Sequence, residues 1–78
     1  MHNQQNIRVV YDQLEGGTSL LLRVRGDFTK SGTSLNAWCQ SNAVDHGHAH
    51  RVLRGITNGP AARKLRHRIA TAAGSIAQ

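Results

Sequence analysis

TSLNAWCQSNAVDHGHAHRVLRGI, residues 33–56, contains two short segments whose apolar residues recur at the three- and four-residue spacing of an amphipathic helix. Thr33 or Ser34 can cap the first segment and Asp45 the second, because these side chains accept hydrogen bonds from the free N–H groups at a helix start. Only Ala43 and Val44 lie between the two segments. Two helices joined so tightly must cross at a steep angle, which predicts a helix-turn-helix.

Each of these two helices has an expected inward face. In the first, Leu35, Trp38 and Cys39 share one side, with Asn42 on the same side a turn later. In the second, the expected inward residues are Ala49, Val52, Leu53 and Ile56, with Gly55 near its end. The five positions that a helix-turn-helix fills with small or apolar residues are here Cys39, Ala43, Val44, Ala49 and Val52. Asn42 and Ala43 depart from the pattern, because an apolar residue and a glycine are usual there.

The flanking segments also have helical periodicity. Residues 18–32 start with Thr18 or Ser19 as the expected cap, stop at Gly32, and carry Leu20, Leu21, Val24 and Phe28 on one face. An alternative is a hairpin that pairs residues 7–13 with residues 18–26. Residues 58–78 have Asn58 or Gly59 as cap, Pro60 in the first turn and Gly74 as the stop. Their expected apolar stripe is Ala62, Leu65, Ile69, Ala72 and Ile76, and their expected surface cations are Lys64, Arg66, His67 and Arg68.

These segments predict an all-α protein, a small bundle of four to five helices that contains a helix-turn-helix. At 78 residues the chain forms one domain, over residues 18–78, and the polar residues 1–17 are expected to be a flexible arm or a strand that pairs with a second copy. The single cysteine, Cys39, excludes an internal disulfide and suits a reducing compartment. With no secretory signal and no membrane-length apolar run, we expect a soluble, cytoplasmic protein without a membrane partner.

The charge of the chain indicates a polyanionic partner. The formal net charge is +6, with +1 on residues 1–44 and +5 on residues 45–78. Such an asymmetry favours nucleic acid, although a basic face can also simply keep a small protein in solution.

Several short motifs carry a resemblance to a known family. They are Asp27-Phe28, Gly32-x-Ser34, Ala37-Trp38-Cys39, Leu53-x-Gly55, and Asn58-Gly59-Pro60-x-Ala62 followed by Leu65-Arg66. Over residues 20–74 the sequence resembles the small Ner-type DNA-binding proteins of Mu-like prophages, and more distantly Cro and lambda-repressor-like domains. The resemblance implies an all-helical transcription regulator of a phage or prophage that binds double-stranded DNA, and it leaves open whether the protein is a repressor or an activator.

On this hypothesis the second helix of the motif, residues 45–56, enters the major groove. The residues expected to face the bases are His46, Gly47, His50, Arg51 and Arg54. An arginine here can donate to O6 and N7 of guanine. The residues expected to contact phosphate are Thr33, Ser34 and Asn36, and with lower priority Arg63, Lys64 and Arg66. A homodimer on two half-sites is the expected DNA-bound form.

Other classes of function are less favoured by these residues. His46 and His50 could chelate zinc or nickel, but two ligands do not make a structural metal site, so no metal or cofactor is expected. A Cys-His catalytic pair would need an exposed Cys39, and no enzymatic activity is expected. The alternatives that stay open are a basic module that binds a host or phage protein and, with few aromatic residues available for stacking, structured RNA.

Overall fold

The computed structural model describes residues 14–76, which form a small all-α bundle. Its four helices are α1, Thr18–Lys30; α2, Leu35–Ser41; α3, His46–Arg54; and α4, Pro60–Ala73. Within residues 14–76 there is no strand, and 68% of these residues are helical. The predicted fold class is confirmed. The hairpin alternative is wrong for residues 18–26, which are helical, while its other half, residues 7–13, lies outside the described residues.

The helix ends follow the sequence signals with one exception. Ser34 Oγ accepts a 3.0 Å hydrogen bond from the N–H of Ala37, and Asp45 Oδ2 accepts one of 2.8 Å from the N–H of His48. Pro60 opens α4, and the residue that follows α4, Gly74, has a left-handed φ of 84°. The exception is α1, where neither Thr18 nor Ser19 is the cap: the helix begins at Thr18, after Gly17, and has no side-chain cap.

The turn between α2 and α3 contains an unusual backbone conformation. Ala43 has a φ of 56°, in the left-handed region that glycine adopts most easily. The N–H of Val44 donates a 2.9 Å hydrogen bond back to the main-chain oxygen of Cys39, which closes the turn. A glycine is usual at this turn position. Ala43 adopts the left-handed conformation there although it has a Cβ atom.

All four helices contribute to one core. Its largest fully buried side chains are Val24, Cys39, Val52, Leu53 and Ile69. Two expected core residues lie outside it: Ile56 is 61% exposed and Ala72 is exposed. Ile56 leaves the inward face because α3 ends at Arg54 and Gly55, with a φ of 81°, turns the chain.

The buried face of α4 is rotated relative to the expected stripe, and this rotation places a cation inside the protein. Arg66 is 2% exposed, although it was expected at the surface in contact with phosphate. Its guanidinium donates to the main-chain oxygens of Val52 at 2.8 Å, Leu14 at 3.1 Å and Thr57 at 3.1 Å, and to the side-chain oxygen of Asn58. Because these N–H groups donate to oxygens within the protein, Arg66 is not available for the predicted phosphate contact.

The last part of the expected arm belongs to the folded domain. Leu14 packs against the core, and the N–H of Gly17 donates a 2.8 Å hydrogen bond to the main-chain oxygen of Leu53. The rest of the arm, residues 1–13, lies outside the described residues. In the described part of the chain, none of the helices has the length and apolar character that crossing a membrane requires.

Candidate nucleic-acid interface

Helix α3 has two contrasting faces. Ala49, Val52 and Leu53 are 0% exposed and fix the helix to the core. On the other side, the residues predicted to face bases are exposed (His46, Gly47, Arg51 and Arg54) or half-buried (His50). The five residues therefore lie on the side of α3 that faces away from the core.

An open cleft of about 310 Å³ begins beside this face, between α1 and the first residues of α2 and α3. Its lining residues are Arg25, Thr29, Ser34, Leu35, Asn36, His46 and His50. The cleft brings two predicted base-contact residues, His46 and His50, together with two predicted phosphate-contact residues, Ser34 and Asn36. Thr33, the third residue near the start of α2 that was predicted to contact phosphate, is exposed.

Sequence reasoning missed Arg25 and Thr29 as members of this group. They are four residues apart on α1, and each directly follows a buried residue, Val24 and Phe28 respectively. That spacing places them together at the border of the apolar face. Which border faces α3 depends on how the helices pack, and the periodicity of α1 does not contain that information.

The two histidines of the cleft contact each other. Their ring centroids are 5.1 Å apart, with the rings inclined at 60°. The pKa of His50 is lowered by burial and, in smaller measure, by the neighbouring His46, Arg25 and Arg54. His50 is therefore mainly neutral at pH 7, and can both donate and accept a hydrogen bond.

Among residues 14–76, those that line the cleft include Arg25 and two histidines but no carboxylate, so the charge that they contribute is positive. Asp27, two residues after Arg25, is engaged with other groups: it accepts a 2.6 Å hydrogen bond from Ser75 Oγ and lies 4.0 Å from Arg23 and 3.9 Å from Lys30. Asp45 is engaged as the cap of α3. The arrangement suits an anion.

The basic residues of α4 do not line this cleft. Lys64 is exposed, whereas Arg63 is half-buried and donates a 2.7 Å hydrogen bond to the main-chain oxygen of Asn58. Arg68 lies 5.1 Å from the ring centroid of Trp38 and donates to Asn42 Oδ1 at 3.0 Å, so it joins α4 to α2. The α4 cations predicted to contact phosphate are Arg63, Lys64 and Arg66. Of these three, Lys64 is exposed and makes none of the internal hydrogen bonds described above.

The residues described provide little for metal or thiol chemistry. Among residues 14–76 there is no group of three or more His, Cys, Asp or Glu side chains that could hold a metal ion. Cys39 is 1% exposed, and burial, followed by the charge of Asp45, raises the pKa of its thiol. Cys39 is therefore a protonated, packed side chain at neutral pH.

Comparison with known proteins gives no relative: no family model, no curated protein and no solved structure matches the chain. The resemblance to Ner-type proteins consequently stays a prediction, based on the motifs quoted above.

Proposed function

We propose that this protein binds double-stranded DNA in a sequence-specific manner, as a phage- or prophage-type transcription regulator acting in the bacterial cytoplasm, with α3 in the major groove. The observation that carries the proposal is the contrast between the two faces of α3. Ala49, Val52 and Leu53 hold one face rigidly in the core, while Arg51 and Arg54 project from the other. A rigid helix with outward-facing donors is what base readout requires.

The size and chemistry of α3 fit this role. Nine residues of helix extend about 13 Å, and the major groove accommodates one helix. Arg51 and Arg54 are each able to donate to O6 and N7 of a guanine, an interaction that contributes about 1–3 kcal/mol of discrimination against other bases. Gly47, at the start of the helix, permits a close approach of the backbone to the DNA.

Phosphate contacts on either side of α3 would orient it in the groove. Thr33, Ser34 and Asn36 supply hydroxyl and amide donors beside the helix, and Lys64 supplies an exposed cation on α4. A single α3 makes few base contacts, so we expect two copies of the protein to bind half-sites about one turn of DNA apart.

The test is selection of bound duplexes from a random library, followed by measurement of affinity at several salt concentrations. We expect one preferred sequence with guanine at a contacted position, and a logarithm of affinity that falls with the logarithm of salt with a slope of several units. Failure to enrich any sequence would contradict the proposal and favour the alternative of a basic module that binds a protein.

Two variants separate base readout from phosphate contact. Arg51→Ala should relax the preference at one base position, by about 1–3 kcal/mol, because the guanine donors are lost. Lys64→Ala should weaken binding to all duplexes alike and lower the salt slope by about one. If both variants reduce affinity equally for every sequence, α3 is not the helix that reads the bases.

A further inference from the structure

We propose that the cleft between α1 and the first residues of α2 and α3 binds one phosphodiester group of the DNA, with Arg25 as its main cationic ligand. This inference rests on the proposed function and assigns a residue that the sequence did not indicate. Its basis is a cleft in which polar side chains from α1 and from the starts of α2 and α3 come together, with no carboxylate among the described residues that line it.

The side chains that line the cleft have donors to spare. Within residues 14–76 the guanidinium of Arg25 has no ion pair or hydrogen bond, so none of its N–H groups is used by this part of the chain. Ser34 Oγ accepts from Ala37 N, which leaves its own hydrogen for another acceptor. Asn36 is exposed next to it, and its amide can donate. A phosphate oxygen is an acceptor that satisfies several such donors at once.

The charged groups around the cleft favour an anion. The guanidinium of Arg25 carries a positive charge, and the imidazole rings of His46 and His50 line the same cleft. Arg54 adds a fourth basic group close enough to affect His50. From α2 the cleft receives only uncharged groups, Ser34, Leu35 and Asn36. A bound phosphodiester would offset the positive charge of Arg25 and Arg54.

Arg23, on the same helix as Arg25, is an arginine that we do not expect to contact the phosphate. It lies two residues before Arg25, is exposed, and has its Nε 4.0 Å from the carboxylate of Asp27. Arg23 is not among the residues that line the cleft. It therefore provides a matched control with the same side chain on the same helix.

Binding of a phosphate group in the cleft should change the protonation of His50. In the protein alone, burial and the surrounding cations lower the pKa of His50. A phosphate anion beside the imidazole acts in the opposite direction and raises that pKa, because an opposite charge favours the protonated form. DNA binding should then be accompanied by uptake of a proton from solvent. The affinity should increase as the pH falls towards the pKa that His50 has in the protein without DNA.

The experiment uses the duplex selected above, with one phosphate at a time replaced by an uncharged methylphosphonate. Arg25→Ala should weaken binding of the unmodified duplex about tenfold, through loss of a charge-assisted hydrogen bond. At one position the methylphosphonate and the Arg25→Ala substitution should not be additive, because each removes the same contact. Arg25→Lys should recover part of the affinity, and Arg23→Ala should bind as the wild type does.

The possible outcomes are separable from those of the proposed function. If the wild type binds no duplex, the proposed function fails. If it does bind, but Arg25→Ala adds to the effect of every methylphosphonate, only the phosphate site in the cleft is overturned. Titration with inorganic phosphate, followed by the imidazole NMR signals of His46 and His50, is the last arm. Shifts with free phosphate combined with full additivity on DNA would assign the cleft to a free anion and contradict the phosphodiester.

Discussion

The side-chain Nε of Arg66 donates a 2.8 Å hydrogen bond to the main-chain oxygen of Val52, in the last turn of α3. The last carbonyl groups of a helix have no partner within the helix, and a cation at this end also interacts favourably with the helix dipole. The same guanidinium reaches Leu14 and the loop at Thr57 and Asn58. Arg66 thus fixes the position of α3 from the inside of the protein, although it has the charge of a DNA-contacting residue.

Replacing Arg66 by methionine should lower the free energy of unfolding by about 2–4 kcal/mol, because one buried and several partly buried hydrogen bonds to the guanidinium are lost. This is a large fraction of the ~5–15 kcal/mol typical of a whole domain. Arg66→Lys should lose most of the same stability, since an ammonium group cannot reproduce the planar geometry of the guanidinium. Urea denaturation followed by circular dichroism measures both.

Lys64→Met is the control for these variants, because Lys64 is exposed on the same helix and its replacement should change stability by no more than about 0.5 kcal/mol. Equal stability of the Arg66 and Lys64 variants would show that Arg66 is not held inside the protein.

The segment before α1 passes so close to the end of α3 that one methyl group should separate them. A Cβ on Gly16 would lie 2.5 Å from the Cα and N of Gly55 and 3.0 Å from Cζ of Arg66. Gly16→Ala should therefore destabilise the protein by about 1–3 kcal/mol. Gly17→Ala is the control, since a Cβ there meets nothing within 4 Å and the backbone is extended. Melting temperatures would contradict this account if the two variants unfolded together.

Ala43 offers a substitution with the opposite sign. A left-handed conformation costs a residue with a Cβ about 1–2 kcal/mol, and the extra freedom of glycine in the unfolded chain costs about 0.5–1 kcal/mol. Ala43→Gly should therefore increase stability by about 0.5–1 kcal/mol and raise the melting temperature by a few degrees. Ala72→Gly, at an exposed position in the last turn of α4, should instead lose up to about 1 kcal/mol. A decrease for both variants would show that Ala43 is not strained.

Local signals predicted the helices and their ends well. The caps Ser34 and Asp45, the first-turn Pro60 and the stop at Gly74 each act within a few residues of their own position, so short sequence patterns contain them. The inward face of α3 was also predictable, because Ala49, Val52 and Leu53 are apolar and correctly spaced.

Features that depend on packing between helices were not predictable in this way. Arg66 has the spacing of a buried residue, four after Ala62 and three before Ile69, but its charge indicated the surface. The oxygens that make its burial favourable come from three other segments, which no periodicity within α4 reveals. Arg25 was missed for the same reason: its place in the cleft depends on the side of α1 that α3 covers.

Acidification should act on the free protein and on its DNA complex in opposite directions. Burial, followed by His46, Arg25 and Arg54, lowers the pKa of His50 in the folded protein, while in the unfolded chain the imidazole titrates near 6.5. Just below pH 6.5 the unfolded chain therefore binds more protons than the folded one. The contribution of His50 to stability is complete above that pH, is lost as the pH falls through it, and levels off below the folded-state pKa.

Urea denaturation between pH 5 and 8 should accordingly show stability falling with acid, and His50→Gln should flatten that slope. His48→Gln, whose side chain is not among those that line the cleft, should retain it. DNA affinity measured from pH 5 to 8 should rise as the pH falls for the wild type and for His48→Gln. The dependence of affinity on pH should be smallest for His50→Gln. An unaltered stability slope in His50→Gln would remove His50 as the titrating group. Affinity that falls with acid in step with stability would show that the bound DNA places no anion beside His50.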